Sequence, residues 1–356
     1  MSKVEIRSPD IYRPNLSTTK ILTFGDLAAF VVKPDLCCLC GGCVAVCPPQ
    51  VLEVDERSSE GAQLIGVCIL CQLCPLACPV VNPYEAPIDK PLGDYIEYGI
   101  YKAAEHELWK NATDGGVTTA LLEHAFEIGL IDGAIVAVKD EEWYAKAVIV
   151  TDPKELRKYS QTIYWHVPMV TPLRTAIDKL RLNKIAIVGT GCQTAAAKLT
   201  ERVPKFKGKV ALTLGLFCSK TWRREEFFRI AKEKLNIEPK DVNNIIVKRD
   251  VIFRLKNGEV KKIHIDELEE AVFGSCHVCR DFTAEASDIS LGANGAPDGW
   301  NFAIIRSQVG KQLIESALRA GKIVKSTEKP KVKFVAKRAI EQKFRGHSFQ
   351  LSKLMQ

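Results

Sequence analysis

Nowhere in this sequence do the roughly 18 consecutive apolar residues occur that mark a bilayer-crossing helix, so a membrane-spanning chain is not expected. The first residues, MSKVEIRSPDIYRPNL, lack the apolar centre of a secretory signal. The expectation is therefore a cytoplasmic protein in reducing surroundings. Histidine is scarce, six in 356 residues, and shows no spacing that suits metal ligation. No acid/base dyad is evident either.

What is plentiful is cysteine. Thirteen are present, nine of them between Cys37 and Cys78, and the other four are Cys192, Cys218, Cys276 and Cys279. A disulfide scaffold would be smaller and would carry an export signal, so thiolate–metal bonding explains them better. Hydrophobic residues make up 46% and charged residues 26%, enough for a globular chain with a substantial core, and the length favours two or three domains. The net charge of +7 is uneven, with ten Lys or Arg against two Glu from Lys322 onward. Such a run reads as a solvated basic tail, and its functional alternative is a docking element for an acidic partner or membrane surface.

Composition divides the chain into a leader at 1–33, a cysteine-dense stretch at 34–82, a linker at 83–94, a large domain at 95–320 and the basic tail at 321–356. The leader has strand character in ILTFGDLAAFVV. The linker is marked by three prolines in NPYEAPIDKPLG (82–93). In the large domain GAIVAV (133–138), KAVIV (146–150), KIAIV (184–188) and KVALTLGLF (209–217) read as strands. GVTTALLEHAFEIG (116–129) and REEFFRIAKEKLN (224–236) read as helices, and VIFRLKNGEVKKIHI (251–265) as a hairpin turning at Asn257-Gly258. The alternation predicts an α+β or mixed α/β domain.

Two runs repeat one pattern. CCLCGGCVAVCP (37–48) supplies Cys37, Cys40, Cys43 and Cys47, and CILCQLCPLACP (68–79) supplies Cys68, Cys71, Cys74 and Cys78, each in the order C-x2-C-x2-C-x3-C-P. This is the bacterial two-cluster ferredoxin spacing, in which the fourth cysteine crosses to the other cluster. Cys37, Cys40, Cys43 and Cys78 are thus predicted to hold one 4Fe–4S cluster, and Cys68, Cys71, Cys74 and Cys47 a second. Structural zinc is the alternative for paired CxxC motifs, but it does not explain the doubled run with its prolines. Cys38 is surplus and reads as a packed spare thiol.

The remaining cysteines lie in GTGCQ (Cys192), GLFCS (Cys218) and CHVCRDF (Cys276, Cys279). The first two follow apolar strands, at the edge where α/β sites gather. Four thiols suffice for a third cluster, while two buried small residues plus a zinc or redox knuckle account for them equally. VGTGCQTA (188–195) looks at first like a dinucleotide loop, but Thr194 stands at the third glycine position and no acidic residue is suitably placed. Glycines that let the backbone close around a cluster fit Cys192 better.

These segments resemble the family of β-subunits found in coenzyme F420-reducing hydrogenases and in F420 and formate dehydrogenases. The matching residues are NATDGGVTTALLEHAFEIGLIDGAIV (111–136), KYSQ (158–161), VGTGCQTA (188–195), LGLFCS (214–219) and GSCHVCRDFTAEASDISLGANGAPDGWNFAIIRS (274–307). Two departures are Gly191, where the family often has Pro, and SDIS (287–290) for its ADIS. The resemblance implies a flavin-binding mixed-sheet domain joined to a small ferredoxin-like two-cluster domain. It implies FAD, and a 4Fe–4S cluster on Cys192, Cys218, Cys276 and Cys279, three clusters in all, with coenzyme F420 as substrate. It assigns cofactor binding to Thr113, Asp114, Gly115, Gly116, Thr118, Lys158, Tyr159, Ser160 and Thr190, and to Asn294, Gly295, Pro297 and Asp298 in ANGAPDGW (293–300).

The function so implied is an F420:acceptor oxidoreductase subunit. F420 and FAD exchange hydride, and the clusters pass single electrons to or from a partner complex: a membrane dehydrogenase, a hydrogenase or a heterodisulfide-reductase type. No side chain is expected to be catalytic in its own right, because the cofactors carry the chemistry. The inner face of a membrane is open to the protein through its partner, and nucleic acid is not an expected one. The alternatives are an iron–sulfur relay adaptor without flavin, a relative using ferredoxin or a nicotinamide cofactor in place of F420, and a colourless zinc protein binding nucleic acid through its basic tail.

Overall fold

A computed structural model describes residues 21–84 and 86–354. Thirteen strands are assigned among these residues. In the cysteine-dense stretch β1 (Leu52–Glu53) pairs antiparallel with β2 (Gln63–Leu64). Next come β3 (Glu97–Ala103), β4 (Gly133–Lys139), β5 (Ala145–Val150), β6 (Ile185–Thr190) and β7 (Val210–Leu216). The hairpin region gives β8 (Val242–Val247), β9 (Asp250–Leu255) and β10 (Val260–His264), and the chain continues through β11 (Ile289–Gly292), β12 (Asn301–Ile305) and β13 (Ile323–Lys325).

Eight of these form one mixed sheet in the order β13-β3-β12-β11-β7-β6-β4-β5. The centre, β4, β6, β7 and β11, is parallel, and antiparallel strands close both sides. Central parallel strands need cover on both faces and so are apolar throughout. Ile185, Ala186 and Ile187 of β6 are all fully buried. Alternation sends Ala186 to one face, with helices Val117–Glu127 and Gln308–Arg319. Ile185 and Ile187 go to the other face, where helix Arg224–Leu235, the three-stranded sheet β10-β9-β8 and the cysteine-dense stretch share one apolar core. The mixed α/β architecture matches the expectation.

Two segments differ from their sequence reading. The described part of the leader is helical, not extended: helix Phe24–Leu27 runs into a π-helical turn, Ala28–Val32. Thr23 and Asp26 form a capping box, and Phe24, Leu27 and Val31 recur at helical spacing to bury one face. The rest of the leader, 1–20, lies outside the described residues.

The basic tail is part of the domain. Its β13 pairs with β3 at the sheet edge, and helix Val332–Leu354 follows. Val335 and Ala339 of that helix are fully buried against Phe302 and Ile304, so a narrow apolar stripe runs beneath the lysines. One turn on, Lys343 is buried and pairs with Glu285 at 2.7 Å. The proline-rich linker is also tied down, since Arg306 donates to the carbonyls of Leu92 and Asp94, at 2.6 and 3.1 Å. Among the described residues no helix is long and apolar enough to cross a membrane.

Candidate functional site

The two cysteine runs fold alike. Leu39 and Gly41 flank Cys40 with φ of +50° and +79°, and Leu70 and Gln72 flank Cys71 with +56° and +64°. Alternating left-handed turns point successive N–H groups to one side, an arrangement that favours a negatively charged group. Short helices, Gly42–Val46 and Leu73–Leu76, then carry Cys43 and Cys74. The structure brings Cys37, Cys40, Cys43 and Cys78 to the wall of one cavity, and Cys47, Cys68, Cys71 and Cys74 to the wall of another.

Burial raises the Cys74 and Cys78 thiols to about 12, and neighbouring sulfurs add to it: Cys71 for the first, Cys40 for the second. Burial pushes Cys43 up as well, helped by Cys40, Cys37 and Cys78. Crowded thiols of this kind resist ionisation unless a cation is supplied, and bound metal reverses that logic. Among the described residues no three His, Cys, Asp or Glu side chains converge to hold a single metal ion. The thiols surround a space instead, which suits a polynuclear cluster held by four cysteines.

Cys192, Cys218, Cys276 and Cys279 line a third cavity of about 360 Å³. Cys192 is in the first turn of helix Gly191–Thr200, whose cap is a box between Thr190 and Gln193. Cys218 follows β7, and Cys276 lies in the short helix Gly274–His277. Close approach explains the glycine before Cys192: a Cβ on Gly191 would stand 2.8 Å from Cγ of Asp281. The loop admits a protein carboxylate from the CxxC segment, and so brings Cys279 to Cys192. The sulfurs also receive polar contacts. Thr221 N donates to Cys276 Sγ at 3.4 Å, His166 Nε2 is 3.7 Å from the same sulfur, and Thr190 Oγ1 is 3.3 Å from Cys192 Sγ. A hydrogen bond from Cys38 holds the Cys192 thiol well below its ordinary range against the effect of burial, with His166 assisting.

Behind this cavity lies a slot of about 150 Å³ that shares the walls His166 and Thr190 with it. The slot opens past Tyr159, Ser160 and Gln161, which it shares with a cleft of about 630 Å³. Lys110, Lys139, Arg157, Lys158 and Arg254 line the cleft, and no Asp or Glu does among the described residues. Some of this charge is engaged elsewhere. Arg157 forks onto Glu105 and Glu123 at 2.6 and 2.7 Å, and burial lowers the Lys139 ammonium beside the Trp143 ring. Thr113, Thr118, Lys158, Tyr159, Ser160 and Thr190 all line the slot, the cleft or both.

Other expected residues lie apart from these spaces. Gly116, with φ of +71°, caps helix Val117–Glu127, and Gly115 packs against Asn301. The Asp114 carboxyl is pushed up by burial, with Lys248 opposing. Asn294, Gly295, Pro297 and Asp298 line neither the slot nor the cleft. Gly295 packs on Val335 of the last helix and accepts from Lys331 N at 3.0 Å, while Asp298 is exposed and pairs with Lys248 at 3.1 Å. Their loop therefore closes the apolar layer beneath the last helix. Cys38, read as a packed spare thiol, is buried on a shared wall; sequence reasoning missed His166, on another, and Arg254, which β9 delivers to the cleft. Nothing local to those residues marks them.

The family model described as coenzyme F420 hydrogenase/dehydrogenase, beta subunit N-term, matches residues 100–174, and the model for the C terminus of the same beta subunit matches 182–331. The F-type subunit of the F(420)H(2) dehydrogenase of Methanosarcina mazei is 30% identical over 332 residues, 90% of this chain and 92% of that one. The coenzyme F420 hydrogenase subunit beta of Methanosarcina barkeri is 31% identical, over 65% of this chain and 82% of its own. Among solved structures, a chain of the F420-reducing NiFe hydrogenase complex from Methanosarcina barkeri superposes with a TM-score of 0.70 at 29% identity, covering 73% of this chain and 92% of that one.

Proposed function

The chain belongs to the family of coenzyme F420 hydrogenase/dehydrogenase beta subunits, and on that premise we propose that it is an F420:acceptor oxidoreductase subunit. In this reading FAD occupies the slot and the cleft, F420 reaches the flavin from the cleft, and three 4Fe–4S clusters serve a partner complex. The observation that carries it is the adjacency of three spaces, the thiol cavity, the slot and the basic cleft, each sharing side chains with the next.

Bound there, FAD supplies exchange between a two-electron hydride carrier and one-electron acceptors. The chain supplies placement. Val136, Leu216 and Trp165 give the slot apolar walls that exclude water. Tyr159 and Ser160 stand at the junction with the cleft, and His166 and Thr190 at the junction with the thiols. The lysines and arginines of the cleft attract a ligand rich in phosphate and carboxylate. The twelve paired-off cysteines are the ligands: Cys37, Cys40, Cys43 and Cys78; Cys47, Cys68, Cys71 and Cys74; and Cys192, Cys218, Cys276 and Cys279.

The test is anaerobic purification followed by iron, sulfide and flavin analysis and titration with reduced F420. About twelve irons per chain and a flavin that bleaches on addition are expected. A bound flavin that reduced F420 leaves unbleached would overturn the F420 assignment. Iron without flavin would leave a relay subunit in its place.

A further inference from the structure

The thirteenth cysteine has no place in the three ligand sets. Cys38 is buried and lies in the wall of two cavities at once, the one ringed by Cys37, Cys40, Cys43 and Cys78 and the one ringed by Cys192, Cys218, Cys276 and Cys279. No other cysteine among the described residues lines both. Its side chain thus faces the Cys40 set on one side and the Cys192 set on the other. The contact is held by the fold: Val170 N donates to the Cys40 carbonyl at 2.9 Å, and helix Gly42–Val46 packs its Gly42 against Ala196 of the Cys192 helix.

The remaining ring lies farther out. The helices that carry Cys43 and Cys74, Gly42–Val46 and Leu73–Leu76, pack together, which joins the first ring to the ring of Cys47, Cys68, Cys71 and Cys74. Cys71 itself is exposed, on a stretch where Val67 is 83% and Leu70 63% exposed. The order is therefore inner thiols, Cys38, first ring, second ring, surface.

We propose that Cys38 is a positioning residue that couples the inner cluster to the cluster of Cys37, Cys40, Cys43 and Cys78, making that cluster the inner end of the ferredoxin-like module and the Cys71 ring its outer end. The proposal rests on the iron–sulfur reading above. A thiol between two ligand sulfurs acts in two ways. Its S–H donates to a ligand sulfur, and such bonds raise a cluster's reduction potential. Its bulk fills the gap that water would otherwise occupy. The step it serves is a single-electron exchange, one cluster oxidised as its neighbour is reduced, with no bond made or broken and no co-reactant.

The experiment uses the full chain, purified without oxygen, as wild type, Cys38→Val and Cys38→Ser. Iron and sulfide are counted first. Midpoint potentials are then measured by EPR-monitored titration, with Cys71→Ser used to identify the outer centre. Cys38→Val keeps the volume and removes the donor, so a downward shift is expected in one or both centres flanking position 38, with the outer centre unchanged. Cys38→Ser is expected to restore the shifted value. The fully reduced wild type is expected to show magnetic interaction between the inner centre and the first-ring centre.

Unchanged potentials in Cys38→Val, or isolated signals in the reduced wild type, would overturn the proposal. So would the loss of about four irons in both variants, which would make Cys38 a ligand. A wild type without iron and sulfide would sink the underlying reading instead, and that is scored before any variant is made.

Discussion

At Gly191 a single methyl group has nowhere to go. The Asp281 carboxyl group and the backbone of Ala284 fill the space where a Cβ would stand, and Asp281 follows Cys279 by two residues. Gly191→Ala is expected to lower stability by about 1–3 kcal/mol, the usual range for overpacking. It should also release iron from the inner set while the two outer rings keep theirs. Thermal melts and iron counts on one preparation check both effects. The sequence argued against a dinucleotide cradle here, because Thr194 stands at the third glycine position. It could not show that the neighbour demanding glycine is a carboxylate ninety residues away in the chain. Cysteine spacing was legible because ferredoxin ligands are local in sequence. The placing of His166 and Cys38 on shared walls, and of Arg254 in the cleft, was not, because tertiary folding alone puts them there.

Between elements, the bond network at the entrance to β11 is the most testable. Asp288 accepts from Thr213 N and Oγ1, at 2.8 and 2.7 Å, and from Lys198 Nζ at 2.9 Å, which pins β11 to β7 and to helix Gly191–Thr200. Burial alone would raise its pKa, but Lys198 and the Thr213 hydroxyl hold it below the ordinary value of 3.8. A depressed carboxyl contributes stability above its unfolded pKa and loses it as pH falls through the folded value. Asp288→Asn is thus expected to cost about 1.5–3 kcal/mol at pH 7, the range for hydrogen bonds to a charged group. The deficit should be flat between pH 7 and about 5 and shrink below about pH 4. Denaturant melts across that range check it. The central strands β4, β6 and β7 were readable because burial on both faces makes them largely apolar, while the short β11 was not read as a strand. The last helix was not, since Val335 and Ala339 are spaced apolar residues among lysines, and lysine stems hide such a stripe. The leader misled for the opposite reason: apolar residues on all sides of the run mask the spacing of Phe24, Leu27 and Val31, and the Thr23–Asp26 box is the clearer helical mark.

On the scale of the whole molecule, positive charge is concentrated at the cleft. Five cationic side chains and, among the described residues, no carboxylate line the cleft, although the net charge is only +7 over 356 residues. Attraction of this kind is screened within about 8 Å at physiological salt. KM for F420 is therefore expected to rise several-fold between low salt and about 0.5 M salt, with kcat little changed. Lys158→Ala should raise KM at low salt and flatten that dependence. Steady-state kinetics over a salt series measures both, and a KM indifferent to salt would remove the cleft from the F420 reading. One apolar core runs from Phe24 and Val46 through Ile187 to Phe253, so the cysteine-dense stretch and the sheet are packed together.

The roof of the inner thiol cavity has a history as well as a position. Gln342 lines that cavity, Lys343 Nζ reaches the Arg280 carbonyl at 3.3 Å, and Gly346 lies against the carbonyls of Val278 and Cys279. All three belong to a helix that leaves the ribosome after every cysteine has emerged. During synthesis the four inner sulfurs are thus uncovered until that helix docks and its lysine meets Glu285. On the cluster reading, iron delivered to the nascent polypeptide would meet an open bowl, and iron delivered after release one roofed by that helix.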